Sequence, residues 1–146
     1  MNFNIRIYGI LLAEFNGVKN LLASKEFYKG FEFLKLPGGG LELGEGIHDC
    51  LKREFLEELN LKVEVGDLYY VNDFFQPSKF NKDQVISIYY FVNAEESGLY
   101  EILGKEKIPH VEEGANYFKW IPWEQLNTAL FDLPIDKIVI EKLLQQ

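Results

Sequence analysis

Residues 36–61 read LPGGGLELGEGIHDCLKREFLEELNL, and this stretch decides the fold. Three consecutive glycines, Gly38–Gly40, come before a proline-free segment in which apolar residues recur every four positions. That period is typical of a helix with one buried face. The inward stripe consists of Leu51, Phe55 and Leu59. The stretch therefore predicts a glycine loop that leads into an amphipathic helix over Gly46–Leu59.

The other face of this predicted helix is acidic. At 100° per residue, Glu57 lies at about 300° and Glu58 at about 40° from Glu54, so three carboxylates share one third of the circumference. Like charges at these spacings cost about 0.2–0.5 kcal/mol per pair. A hard divalent cation, above all Mg²⁺ with Mn²⁺ as an alternative, binds carboxylate oxygens and keeps positions open for water and phosphate. The pattern predicts that Glu54, Glu57 and Glu58 are metal ligands.

Length and charge narrow the class of protein. A chain of 146 residues that is 47% hydrophobic and 26% charged predicts one globular domain over 1–146. The net charge of −8 argues against binding a nucleic acid polymer, while metal ions would still allow a small phosphorylated ligand.

The single Cys50 excludes an internal disulfide and is expected to be a small core residue. No signal peptide is apparent, and Ile5–Ala13 is too short to span a membrane. We expect a cytoplasmic protein. The apolar content of the strands permits a homodimer without requiring one.

Strands are predicted before and after the helix. Their ranges are Asn4–Phe15, Val18–Ser24, Phe31–Leu36, Leu61–Phe75, Val85–Asn93 and Ala115–Ile121. Asn16-Gly17 predicts a hairpin turn, since both residues tolerate positive φ. An irregular acidic loop is expected around Ile108–Gly114, and helices are predicted over Pro122–Leu130 and Pro134–Leu144. This order predicts an α+β fold, a mixed β-sheet with helices on both faces.

The spacing of the acidic residues also matches a known signature. From Gly39 the chain has five residues, Glu45, seven residues and then Arg53-Glu54-Phe55-Leu56-Glu57-Glu58-Leu59-Asn60-Leu61. This resembles the signature of the Nudix hydrolases: glycine, five residues, Glu, seven residues, Arg-Glu-apolar-any-Glu-Glu-any-Gly-apolar. The one departure is Asn60 in place of glycine. Because Asn tolerates positive φ at a helix C-terminus, we expect a small loss of stability and little effect on chemistry.

The resemblance implies a MutT-like pyrophosphohydrolase with the α/β/α sandwich of the Nudix family. Such an enzyme would use Mg²⁺ to hydrolyse the phosphoanhydride bond of a nucleoside diphosphate linked to a group X, with a nucleoside triphosphate as the first expectation. Its partner would be a small nucleotide or nucleoside diphosphate derivative, with no nucleic acid polymer and no membrane. The alternatives are an ADP-ribose or sugar-nucleotide pyrophosphatase, a non-catalytic nucleotide-sensing domain, an isomerase of isoprenoid diphosphates and a plain acidic interaction surface.

The resemblance also assigns roles to residues. The implied catalytic residues are Arg53, Glu54, Glu57 and Glu58. The implied substrate-binding residues are Gly38, Gly39 and Gly40, whose lack of side chains lets a phosphate chain approach. Glu45 would orient Arg53, and its charge could also favour the helix N-terminus, since the two roles are compatible. Arginine occurs only at positions 6 and 53, so Arg53 is unlike the many surface lysines.

Several roles stay open at this point. The general base is either Glu54, which lies on the flank nearest the apolar stripe, or an acidic residue of the later loop, Glu112 or Glu113. A solvated helix face is the alternative explanation of the glutamates, which the agreement of the spacing, the glycines and Arg53 disfavours, and a plain turn would explain the glycines. His48 is expected to be a partly buried packing residue rather than a ligand. The aromatic residues that could stack on a base, or pack in the core, are Phe74, Phe75, Tyr117 and Trp120.

Overall fold

A computed structural model describes residues 1–104 and 116–146. In this part of the chain the structure has seven strands, which form a mixed sheet, and three α-helices. The strands are β1 (Phe3–Phe15), β2 (Val18–Tyr28), β3 (Phe31–Lys35), β4 (Gly38–Gly40), β5 (Glu64–Val71), β6 (Gln84–Asn93) and β7 (Asn116–Pro122). The helices are α1 (Ile47–Leu59), α2 (Glu96–Gly104) and α3 (Pro134–Leu144). The predicted α+β class with a mixed sheet is confirmed. The chain divides into two compact units, which are described separately.

The first unit comprises Met1–Ile10 and Pro37–Glu95. Within it, β4 pairs antiparallel with the first half of β1, and β5 pairs antiparallel with β6. Helix α1 packs closely on β1 because Gly9 has no side chain: a Cβ there would lie 2.7 Å from the Phe55 ring. Phe55, Cys50 and Leu51 are the buried residues of α1. Burial of large apolar side chains, worth about 1.5–3 kcal/mol each, holds α1 on the strands.

The second unit comprises Leu11–Leu36 and Glu96–Gln146. Strand β2 pairs antiparallel with β1, β3 and β7. The hairpin predicted at Asn16-Gly17 is confirmed, with φ of 51° and 78° at the two turn residues. A second turn of the same kind at Lys29-Gly30, with φ of 50° and 78°, joins β2 to β3. Its lysine gives no strong turn signal, so the sequence did not predict it.

Two sequence predictions about elements are wrong in detail. Gly38–Gly40 is a short strand rather than a loop, since its backbone pairs with Arg6, Ile7 and Tyr8 of β1. The single helix predicted over Pro122–Leu130 is two 3₁₀ turns, Trp123–Gln125 and Thr128–Leu130. Asn127 separates them, because its side chain accepts a hydrogen bond from the Ala129 amide at 3.0 Å and so caps the second turn.

Other boundaries differ less. Helix α3 has the predicted range, and α1 begins one residue later than predicted. Strand β5 ends at Val71 rather than Phe75, because the buried Asn72 side chain accepts a hydrogen bond from the Ser87 amide at 2.8 Å and donates to two backbone carbonyls. Helix α2 was not predicted. The predicted acidic loop around Ile108–Gly114 lies outside the described residues. Within residues 1–104 and 116–146, no helix is long and apolar enough to cross a membrane.

Candidate active site

The ends of α1 set the position of the acidic residues. Its N-cap is Gly46, whose carbonyl accepts the first helical hydrogen bond from the Cys50 amide at 2.9 Å. At the other end, Asn60 adopts the left-handed conformation, with φ 51° and ψ 37°, and its amide donates to the Leu56 carbonyl at 3.0 Å. The expected glycine-like role of Asn60 in closing the helix is therefore observed.

Arg53 forms a two-pronged ion pair with Glu45. Its Nε donates to Glu45 Oε2 at 2.9 Å, and its Nη2 donates to Glu45 Oε1 at 2.7 Å. The hydrogen bond from Arg53, together with one from the Glu42 amide, lowers the pKa of the Glu45 carboxyl to about 2. The same pairing raises the pKa of the Arg53 guanidinium. Both groups are thus charged at every physiological pH, and their geometry is the fork that only arginine can provide.

The remaining donors of Arg53 also go to protein groups. Nη1 donates to Glu54 Oε1 at 2.9 Å and to Glu57 Oε2 at 3.3 Å, while Nη2 also donates to the Gly40 carbonyl at 3.1 Å. Arg53 therefore ties α1 to β4 and places positive charge between carboxylates that would otherwise repel each other. The sequence assigned the relief of this repulsion to a metal ion alone, whereas Arg53 supplies part of it.

Glu54 lies directly over the glycine strand. Only 12% of its side chain is exposed, and a Cβ built on Gly39 would meet its carboxylate, with Oε2 only 2.7 Å away. Such a contact is closer than real Cβ atoms show, so any side chain at Gly39 would displace Glu54. Glycine at this position therefore makes room for the Glu54 carboxylate.

The fit of a metal ion can be judged from the donor set. Glu54, Glu57 and Glu58 offer the hard oxygen ligands that Mg²⁺ prefers, and Glu57 is 60% exposed. Arg53 hydrogen bonds to Oε1 of Glu54 and to Oε2 of Glu57, so a second oxygen of each carboxylate is not used by this arginine. Within residues 1–104 and 116–146, no three His, Cys, Asp or Glu side chains are already gathered as a metal site. The donor chemistry of these three carboxylates fits Mg²⁺.

The chain matches a known protein family. The family model described as NUDIX domain matches residues 5–143. The chain belongs to the Nudix family.

Solved structures share the Nudix fold across nearly the whole chain. The MutT protein from Methanosarcina mazei Go1 is 18% identical with a TM-score of 0.66, over 99% of this chain and 94% of that one. The MutT Nudix hydrolase from Burkholderia pseudomallei is 17% identical with a TM-score of 0.67, over 98% of this chain and 99% of that one. NrtR from Shewanella oneidensis, solved with a 27mer DNA, is 14% identical with a TM-score of 0.63, over 97% of this chain and 62% of that one. At these identities the likeness shows the fold.

Cys50 does not provide reactive chemistry to this Nudix domain. The side chain is fully buried, as expected of a small core residue, and its thiol donates to the Gly40 carbonyl at 3.6 Å. Burial raises the pKa of the thiol to about 12, so almost no thiolate forms near neutral pH. The isoprenoid isomerase alternative, which requires a reactive cysteine, has no support from this residue.

The structure places other candidate residues differently. His48 is exposed rather than partly buried, and its ring meets Tyr90 edge to face with centroids 5.2 Å apart. Phe74 and Phe75 are exposed in the first unit, whereas Trp120 is buried in the second and packs on Phe15. Glu112 and Glu113 lie outside the described residues.

Sequence reasoning overlooked one residue beside the site. Arg6 pairs with Gly40 in the β1–β4 register, and its Nη1 would lie 3.2 Å from a Cβ on Gly40. The sequence does contain a signal that could have identified Arg6, because arginine is rare in the chain and the only other one is Arg53.

Proposed function

We propose that this Nudix protein hydrolyses the phosphoanhydride bond of a nucleoside diphosphate linked to a group X, with nucleoside triphosphates as the first substrate class and Mg²⁺ as the cofactor. The observation that carries the proposal is the Arg53 network, which holds Glu54 against Gly39 and leaves Glu57 exposed beside it. ADP-ribose and sugar nucleotides contain the same bond and are the second substrate class. The cytoplasmic location and a homodimer stay predictions.

Each residue of the site has a proposed role. Glu54, Glu57 and Glu58 would hold Mg²⁺, which when bound neutralises phosphate charge and lowers the pKa of a coordinated water. The side-chain-free strand Gly38–Gly40 would let a phosphate chain approach the helix. Arg53 acts as a positioning residue, because its donors go to protein groups rather than to a ligand.

In the proposed reaction, a water oxygen attacks one phosphorus and the bridging P–O bond breaks. The bridging oxygen leaves with the electron pair as a phosphate, and the proton of the water passes to a carboxylate. Glu54 is the first candidate for this base because its carboxylate is largely shielded by the glycine strand. Glu112 and Glu113 are the alternative bases.

The proposal is tested with a substrate panel in ¹⁸O-labelled water. Nucleoside triphosphates, ADP-ribose and a sugar nucleotide are incubated with Mg²⁺, and the labelled product is identified by mass spectrometry. Hydrolysis of one class, with one ¹⁸O in one phosphate product and no turnover without divalent cation, is the expected result. Binding of a nucleotide without any turnover would instead support the nucleotide-sensing alternative.

Matched variants connect the activity to the site. Glu57→Gln should lower kcat by at least about a hundredfold, a typical cost of removing a group that stabilises developing charge. Glu64→Gln, an exposed glutamate on β5, is the control and should retain wild-type activity. A Glu54→Gln protein within a few-fold of wild type would exclude Glu54 as the base and leave the later loop to provide it.

A further inference from the structure

Arg53 is surrounded by more carboxylates than it can hydrogen bond at one time. A guanidinium has five N–H groups, and those of Arg53 all donate to a carboxylate or a carbonyl. The two hydrogens of Nη1 go to Glu54 Oε1 at 2.9 Å and to Glu57 Oε2 at 3.3 Å. A further carboxylate, that of Glu42, lies 3.8 Å from the same nitrogen, which is close enough for an ion pair but too far for a hydrogen bond. The proposed function so far gives Glu42 no role.

The backbone of Glu42 is held by the same residue that holds Arg53. Its amide donates to Glu45 Oε1 at 2.9 Å, and its carbonyl accepts from the Glu45 amide at 3.3 Å. The turn that these bonds close contains Gly44, whose φ of 88° favours glycine. Glu45 Oε1 also accepts from Arg53 Nη2 at 2.7 Å. One carboxylate thus fixes both the guanidinium and the backbone of Glu42, and this keeps the Glu42 side chain beside Nη1.

The hydrogen bond from Arg53 to Glu57 is the one most easily broken. At 3.3 Å it is the longest that Arg53 makes to a carboxylate, whereas charged hydrogen bonds of this kind are usually about 2.7–2.9 Å long. The Glu57 side chain is exposed, while that of Glu54 is largely shielded. Once Glu57 binds a divalent cation, as proposed above, its carboxylate is less available to the guanidinium, and the two positive charges repel each other. One hydrogen of Nη1 then needs another acceptor.

The Glu42 carboxylate is placed to be that acceptor. A movement of about 0.5–1 Å would bring it from 3.8 Å into hydrogen-bond range of Nη1. The side chain is 67% exposed, and within residues 1–104 and 116–146 Arg53 is the one group with which it forms an ion pair, so little opposes the movement. Unlike a water molecule, a carboxylate also offsets the positive charge that the cation adds.

We propose that Glu42 is a positioning residue, which accepts a hydrogen bond from Arg53 Nη1 when Glu57 binds a divalent cation. The inference rests on the proposed metal-dependent hydrolysis and adds a residue that the Nudix signature does not include. Arg53 keeps its place against β4 while the Glu57 carboxylate turns to the cation. Glu42 itself contacts neither the cation nor the substrate.

Metal affinity tests the proposal without turnover. Binding of Mn²⁺ is measured by electron paramagnetic resonance in wild type, Glu42→Gln and Asp49→Asn. Asp49 is an exposed carboxylate in the first turn of α1, so its variant controls for the loss of one negative charge from the same helix region. We expect the Kd for Mn²⁺ to rise about threefold to tenfold in Glu42→Gln, the range of one lost hydrogen bond, and less than about twofold in Asp49→Asn. Equal affinity in wild type and Glu42→Gln overturns the proposal.

A variant of Arg53 shows whether Glu42 acts through it. Arg53→Lys keeps the positive charge but has a single terminal nitrogen in place of the planar fork. If Glu42 acts through the guanidinium, Glu42→Gln should weaken Mn²⁺ binding by less than about twofold in the Arg53→Lys background. The same loss in both backgrounds would mean that Glu42 binds the ion itself or acts by its charge alone, and the positioning role would be overturned.

Thermal melts separate the proposed role from a purely structural one. In EDTA the melting temperature of Glu42→Gln should equal that of wild type, because an exposed ion pair contributes little to stability. The rise in melting temperature that Mg²⁺ causes should be smaller in Glu42→Gln. An equal decrease with and without Mg²⁺ would show a structural role and overturn the proposal.

A crystal structure with Mn²⁺ decides the matter should Arg53→Lys fail to fold. A Glu42 oxygen within about 3.2 Å of Arg53 Nη1 is the expected result. A Glu42 oxygen bound to the ion, or one that stays 3.8 Å from Nη1, overturns the proposal.

The outcomes also separate the role of Glu42 from the proposed function. Unchanged Mn²⁺ affinity in Glu42→Gln removes the role of Glu42 while metal-dependent hydrolysis by the wild type stands. The expected loss of affinity in a protein that hydrolyses no substrate supports Glu42 and removes the enzyme. Absence of saturable Mn²⁺ binding in the wild type overturns both.

Discussion

Arg53 holds three carboxylates and a carbonyl through one guanidinium, and this single residue organises the candidate site. The Glu45 carboxylate accepts the two-pronged hydrogen bond of Arg53. The Glu54 and Glu57 carboxylates both accept from Nη1, and the Gly40 carbonyl accepts from Nη2. The side-chain types and their spacing along α1 could be predicted from the sequence. The partial neutralisation of the glutamates by Arg53 could not be predicted from the sequence, because side-chain rotamers depend on contacts across the fold rather than on helical spacing.

Gly39 gives a sharp prediction at this scale. In Gly39→Ala the new Cβ would displace the Glu54 carboxylate, so we expect kcat to fall by about a hundredfold, as when a group is misplaced by about 1 Å, with the fold retained. The control is Gly46→Ala, whose φ is −80° and whose Cβ would meet only the Asp49 carboxylate at 3.3 Å. Steady-state kinetics and thermal melts compare the two. Equal kcat values in both variants would contradict the close contact between Gly39 and Glu54.

The Glu45–Arg53 pair predicts a pH dependence of stability. Because the pKa of Glu45 falls from its ordinary 4.5 to about 2 on folding, the stabilisation is complete above about pH 4.5 and is lost as the pH falls towards 2. In Glu45→Gln the melting temperature should therefore depend less on pH between 4.5 and 2 than in the wild type. Thermal melts across this range measure it, with Glu64→Gln as the control. Parallel profiles for wild type and Glu45→Gln would show that the pair is absent in solution.

Elements with strong local signals were predicted well. Helix α1 combines an apolar stripe with an Asn terminator, and Asn16-Gly17 supplies both positive φ values of its turn. Strand β4 was missed because three glycines carry no strand propensity, and only the pairing with β1 makes them a strand. Helix α2 was also missed, and the predicted Pro122–Leu130 helix is two 3₁₀ turns because Asn127 caps the second turn through a local hydrogen bond.

The end of α1 gives a prediction at the scale of the element. Asn60 has φ 51°, a conformation that costs a β-branched residue about 1–2 kcal/mol. Asn60→Val should lower the free energy of unfolding by about that amount, whereas Asn60→Gly, the residue of the Nudix signature, should stay within about 1 kcal/mol of wild type. Urea denaturation measures both variants. An Asn60→Val protein as stable as Asn60→Gly would mean that the helix ends in another conformation.

At the scale of the whole molecule, the prediction of one domain over residues 1–146 stays a prediction. The chain forms two compact units, and β1 contributes its residues up to Ile10 to the first and those from Leu11 to the second. A strand shared in this way can be complete only when both units are folded. We therefore expect the units to unfold together, as small domains usually do.

The sequence provides a separate probe for each unit. Cys50, the only cysteine, is buried in the first unit, and both tryptophans, Trp120 and Trp123, belong to the second. Pulsed thiol labelling and tryptophan fluorescence should report the same urea midpoint. Midpoints that differ beyond error would show two independently folding domains.

The central claim is that the carboxylates of α1 bind a divalent cation for phosphoanhydride hydrolysis. Titration of Mn²⁺ followed by electron paramagnetic resonance tests it most directly, with wild type compared with Glu57→Gln and with Glu64→Gln as the control. The account predicts saturable binding in wild type and Glu64→Gln, displaced by Mg²⁺, and at least about tenfold weaker binding in Glu57→Gln. Unsaturable binding in the wild type, or equal affinity in Glu57→Gln, would contradict it.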